Sequence, residues 1–175
     1  RAMTRFTFMN FMCRDMEGVL DTTRPADRIR QDISRSPGGD STIFLNSCIG
    51  CHAGMDPISG AFAYFEWEEG DEDDDTDNGR MTHTPGQVQE KHLINANTFP
   101  FGYVTRDNRW DNYWREGPNS VLGWDEQLPS GGYGAQSWGM ELGNSEAFAT
   151  CQVEKVFKQV CFRPDNSDDD RTAIT

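Results

Sequence analysis

Between residues 6 and 20 large hydrophobic side chains fall at Phe6, Phe8, Met9, Phe11, Met12, Met16, Val19 and Leu20, with gaps near three and four. That spacing predicts an amphipathic helix over 6–20 with one apolar face. Thr22 or Thr23 is positioned to cap a second helix, with Pro25 in its first turn and Ile29 and Ile33 on one side, ended by Pro37-Gly38-Gly39. A third helix is expected from Asp40 or Ser41 through Phe44 and Leu45. Met55-Asp56-Pro57 should then turn the chain, because a residue before proline avoids the helical region. The clearest pattern comes last. Phe148, Val153, Val156, Phe157 and Val160 predict a helix that starts at Asn144 or Ser145 and stops before Pro164.

Between these helices the pattern fails in two different ways. The run 66–77 is acidic at every position except Trp67, Gly70 and Thr76, which reads as a solvated loop. Residues 81–143 mix glycine, proline, asparagine and aromatics with little periodicity. They are expected to form long ordered loops with short helical pieces around Asp107–Trp114. Long loops in a compact domain usually have a task, and Trp110, Tyr113, Trp114, Trp124 and Trp138 suit the covering of a flat cofactor. The fold class expected is mainly α, with helices around one cofactor and long loops rich in aromatics and glycine. One domain is expected over 1–164, with a helical extension at 1–36, an acidic insert at 66–79 and an acidic tail at 165–175.

Charge narrows the partners. The 175-residue chain holds 16 Lys and Arg against 29 Asp and Glu, a formal charge of -13. Nucleic acid and anionic lipid both require a basic face, so neither is expected as a partner. No apolar run reaches the length of a membrane-spanning helix, and no span is expected. The chain opens on Arg1-Ala2, which we read as the start of a processed product or fragment, consistent with export.

Cys48-Ile49-Gly50-Cys51-His52 is the segment with the most specific chemistry. Two thiols three residues apart can form thioethers with the two vinyl groups of a porphyrin, and the next histidine falls beneath the iron as its proximal ligand. Zinc would need further ligands at paired spacing, a thioredoxin-like dithiol would need a βαβ context, and a simple Cys48–Cys51 disulfide leaves the histidine unexplained. One motif implies one covalent haem c, held by Cys48, Cys51 and His52, with Met55 in the pocket wall.

The stretch Cys48-Ile-Gly-Cys-His-Ala-Gly-Met-Asp-Pro57, followed by Gly60, Phe62 and Phe65, resembles the Cys-x-x-Cys-His-x-x-Met-Asp-Pro motif of planctomycete-type cytochrome-c-like domains. The run from Ser145 to Phe157 is similar to their C-terminal helix. Together these stretches cover about 40 residues, at two ends of the domain, and the acidic insert after Trp67 departs from the pattern. The resemblance implies electron-transfer haem in a periplasmic or secreted protein, and names no partner.

The ligand on the other face of the iron divides an electron carrier from a haem enzyme. Met140 is the favoured candidate, because methionine, then final helix, is the order of class I cytochromes; His92, Met81 and His83 are the alternatives. An open sixth position would suit peroxidase or gas-binding chemistry, with His83 and Arg80 as distal groups. A third reading is a haem-stabilised module of a larger secreted assembly. For the favoured reading the expected partner is a cationic or multihaem redox protein, and self-assembly is compatible with the sticky first helix. Asp73, Asp75 and Asp77 alternate before Asn78-Gly79 and are candidate ligands for Ca2+, although an EF-hand would place its glycine one residue earlier.

The remaining thiols are Cys13, Cys151 and Cys161. Ten residues of continuous helix separate the last two by about 15 Å, beyond the roughly 7 Å a disulfide spans. Cys13 is therefore expected to bridge to Cys161, whose place at a helix end eases approach, with Cys151 as the alternative.

Overall fold

The structure is a computed structural model and describes residues 1–30, 41–71, 73, 78–93, 102–164, 170 and 172. Helical segments dominate it, with two small antiparallel sheets of two strands each among the described residues. No helix among them is long and apolar enough to cross a membrane.

The first helix is shorter than its apolar pattern suggests. α1 spans Ala2–Phe11, buries Thr4 and Phe8, and leaves Phe6, Met9 and Phe11 exposed. Cys13 then takes a left-handed conformation (φ 53°), which no helix continues through. Asp15 restarts the chain by accepting the Met16 N–H, and a 3-10 turn over Met16–Val19 follows. Met12, Met16 and Val19 are buried as expected, but by two short elements rather than one.

A helix beginning at Thr22 does not form over the described residues. The Asp21 side chain accepts from both the Thr23 N–H (2.8 Å) and its hydroxyl (2.6 Å), a local turn that outcompetes helix initiation. The chain then runs extended enough for Ile29 to accept from the Tyr103 N–H at 2.7 Å. Ile33 and Pro37-Gly38-Gly39 lie outside the described residues.

α2 is a single turn, Ser41–Ile43, which widens into a π-helical turn over Phe44–Cys48 and passes into α3, Ile49–Ser59. The expected change of direction at Pro57 does not occur: α3 runs through it and ends in a 3-10 turn, Gly60–Phe62. Proline forfeits one backbone bond, but every residue from Ala53 to Ser59 is buried, and that packing outweighs the local bias.

β1 (Phe65–Glu68) and β2 (Arg80–His83) form a hairpin with Phe65 opposite His83 and Glu68 opposite Arg80. The acidic insert is thus partly strand. Glu66 accepts from Lys91 Nζ at 2.8 Å, and Arg80 Nε donates to Glu68 at 2.9 Å.

The long central region is more regular than expected. β3 (Arg109–Asp111) pairs with β4 (Gly131–Tyr133), two 3-10 turns (Tyr113–Arg115 and Gly117–Leu122) lie between them, and α4 covers Gly134–Gly143. The last helix, α5, spans Glu146–Cys161 and is capped by Ser145, whose hydroxyl accepts the Phe148 N–H at 3.1 Å. This agrees with the sequence pattern at both ends.

One main core joins these parts, built around Phe8, Met55, Ile58, Trp110, Trp114 and Trp138. Inside it, Glu141 is buried but satisfied: Arg115 grips both its oxygens and Asn112 donates to one at 2.8 Å. A smaller cluster of Ile29 and Phe44 packs against Cys48 and Ile49.

The disulfide is Cys13–Cys151, with Cα atoms 5.4 Å apart, and not Cys13–Cys161. The first half of α5 is the part that meets α1: Phe11 and Phe148 rings lie 6.4 Å apart, and Gln152 Nε2 donates to the Phe11 carbonyl at 3.1 Å. Cys161 sits beyond that contact, exposed, as a free thiol.

Candidate functional site

Cys48, Cys51 and His52 lie on one stretch of helix, and the two halves of the core hold it from either side. Cys48 packs against the Ile29–Phe44 cluster, and Cys51 against the main core. Both thiols are half-buried and free rather than joined to each other. Burial, with Glu17 and the neighbouring Cys48 adding to it, pushes the Cys51 thiol above its ordinary value. That is the opposite of the activated thiolate a dithiol redox enzyme needs.

His52 is oriented by its own helix. Its Nδ1 lies 3.0 Å from Oδ1 of Asp56, one turn on, and its ring sits 5.8 Å from that of Phe44. An ionised carboxylate can only accept, so this bond places a proton on Nδ1, and Nε2 is the nitrogen that a neutral imidazole would offer to a metal. Asp56 was not a candidate in the sequence, although a His-x-x-x-Asp spacing on a helix is legible once the helix is carried through Pro57. The Asp56 side chain is fully buried, and its Oδ2 has no hydrogen-bond partner among the described residues.

A hollow of about 300 Å³ opens beside Cys51, walled by Met55, Met16 and Ala2 with Arg5 and Glu17 among its lining residues. Met55 and Cys51 line this hollow, whereas Cys48 and His52 do not. Larger hollows near Trp124 (about 510 Å³) and beside the disulfide (about 310 Å³) contain no histidine and no free thiol. The donor types are those a covalently attached haem takes: two unbridged thiols a turn apart and an imidazole held at Nδ1 by Asp56.

The tryptophans are placed differently from the expectation that they cover the cofactor. Trp110, Trp114, Trp124 and Trp138 are buried in the core behind α3, and none lines the hollow at Cys51. Trp114 presses directly on Gly54, where an added Cβ would overlap its indole. Phe8 links Trp114 to Trp138, at ring distances of 5.1 and 6.0 Å.

None of the four candidate distal ligands lines that hollow either. Met140 is 55% exposed on α4, in a separate small hollow with Trp110 and Pro129. Met81 is exposed on β2 opposite Trp67, and His83 stacks on Phe65 at 4.4 Å. His92 is buried, with Nδ1 2.6 Å from the Arg30 guanidinium. Arginine has only donors, so His92 Nδ1 accepts and its Nε2 keeps the proton, which removes that nitrogen as a ligand in this arrangement. Arg80 is exposed and paired with Glu68.

Asp73 is exposed and its N–H donates to Asp71 at 3.0 Å, whereas Asp75 and Asp77 lie outside the described residues. Among the described residues, no group of three or more His, Cys, Asp or Glu side chains is arranged to hold a metal ion.

No protein-family model, no curated protein and no solved structure matches the chain.

Proposed function

We propose that the chain is a one-haem c-type cytochrome domain that transfers electrons outside the cytoplasm. One observation carries the reading: two unbridged thiols, Cys48 and Cys51, precede a histidine whose Nδ1 is already committed to Asp56. Cys48 and Cys51 would hold the haem by thioethers, and Nε2 of His52 would face the iron. When bound, such a group supplies a one-electron couple. The chain's contribution is to fix the ring of His52, to keep water from the helix by burying Ala53–Ser59, and to present an acidic surface to a cationic or multihaem redox protein. The resemblance of Cys48–Pro57 to planctomycete-type cytochrome-c-like domains supports the same reading, as does the oxidising compartment implied by Cys13–Cys151.

A second reading is favoured by the placement of the methionines. With Met81 and Met140 exposed and neither at the hollow, a sixth iron position open to a small ligand suits a haem enzyme or gas-binding protein. Optical spectra of the purified full chain, with a pyridine haemochrome and added carbon monoxide, test both. Covalent haem with low-spin bands unmoved by carbon monoxide is the expected result. Bands that shift with carbon monoxide would support the second reading, and absence of covalent haem would overturn both.

A further inference from the structure

We propose that Asp56 is a positioning residue for the iron ligand, which fixes the direction of His52 Nε2 and biases the iron toward its oxidised state. The inference rests on the haem reading above and adds to it a determinant of potential.

Three observations converge on this residue. The Asp56–His52 bond, at 3.0 Å, joins neighbours one turn apart on α3, so no loop movement can alter it. The side chain of Asp56 is fully buried while that of His52 retains 18% exposure, which places the acceptor on the protein side of the pair. The second oxygen, Oδ2, has no partner among the described residues. The Arg1 α-amino group also feels the Asp56 charge, so it is the hydrogen bond to Nδ1 that couples the carboxylate to the imidazole. A buried acceptor of this kind usually has a reason, because leaving a carboxylate oxygen unmatched costs stability.

The direction of the effect follows from charge. A carboxylate drawing on the Nδ1 proton makes Nε2 a stronger donor to iron, and a stronger donor favours the more positive oxidation state. A negative charge held in a low-dielectric setting acts in the same sense. Both effects lower the tendency to accept an electron. A backbone carbonyl in the same place would orient the ring but polarise it less.

The test uses the full chain, matured in a host with c-type haem attachment machinery, beside its Asp56→Asn and Asp56→Glu variants. Each is scored for haem that survives denaturation, then by redox titration. At a fixed ambient potential, Asp56→Asn should raise the ratio of reduced to oxidised protein about tenfold, a shift of 59 mV for a one-electron couple. Asp56→Glu should keep most of the wild-type value. Reduced-minus-oxidised infrared spectra of wild type made with isotope-labelled aspartate should contain a carboxylate band that moves with the redox state. Matching potentials in all three proteins, with no labelled band, would overturn the proposal and leave the haem reading standing. Wild type that retains no haem would overturn the haem reading itself. Should Asp56→Asn fail to mature, the wild-type infrared spectrum decides: a labelled band that moves supports the proposal, and its absence overturns it.

Discussion

α3 and α5 are both helices of ordinary length, and they are stabilised in opposite ways. α5 has the cleaner sequence: a serine cap, an acidic first turn, a regular apolar stripe and a stop before Pro164. Yet Cys151 is its one buried residue, Val156 and Val160 project from its far half, and Phe162, just past its end, is 93% exposed. α3 has a glycine-rich sequence with an internal proline and no side-chain cap, and it is buried from Ala53 to Ser59. Local signals build α5, whereas packing builds α3. The chemistry lies on the second kind, where the surroundings rather than the helix fix side-chain directions.

Four experiments sharpen or break that contrast. The largest effect is expected from removing the disulfide. Cys13→Ala with Cys151→Ala opens a link across 138 residues of sequence, and by the loop-closure relation should cost about 5 kcal/mol. Amide exchange should rise more along α5 than along α3; equal rises would mean that packing rather than the link holds α5. Next is Gly54→Ala, which forces a methyl into the Trp114 indole and should cost about 3 kcal/mol in denaturant titration. The same substitution at Gly143 of α4, where an added Cβ meets nothing, is the control. Ser145→Ala removes the cap of α5 and should cost about 1 kcal/mol, with fraying confined to its first turn.

The smallest effect belongs to the hairpin that follows α3. Burial raises the Glu66 carboxyl, but bonds from Lys91 Nζ and the Trp67 N–H outweigh it and hold Glu66 below its ordinary 4.5. A carboxyl lowered by folding stabilises fully above its unfolded value, and that contribution is lost as pH falls through the folded one. Lys91→Met should therefore cost about 0.5 kcal/mol near neutrality, a surface-pair magnitude. The difference from wild type should vanish as the pH drops below the Glu66 range. A gap that persists in acid would show that Lys91 acts through packing.

The sequence was most readable where one short-range signal sufficed. Cys-x-x-Cys-His and the limits of α5 are of that kind. α4 was not read because Gly134, Gly139 and Gly143 lower its intrinsic helicity, and its burial of Trp138, Glu141 and Leu142 against distant residues compensates. The alternation Phe65-Glu66-Trp67-Glu68 was hidden by the acidic run it opens. Pro57 and Cys13 misled in complementary ways. Packing carried a helix through the proline, and a left-handed cysteine ended a helix that periodicity alone would have prolonged. The partner of Cys13 depended on which half of α5 meets α1, a question of tertiary geometry beyond any spacing rule.

The contact between Trp114 and Gly54 also has an optical consequence. An indole seated within a turn of Cys51 and His52 would give up its ultraviolet emission to any strongly absorbing ring attached there. The unmatured chain should therefore fluoresce and the matured one fall dark. Maturation would then be visible in real time, without a label, from a residue that takes no part in it.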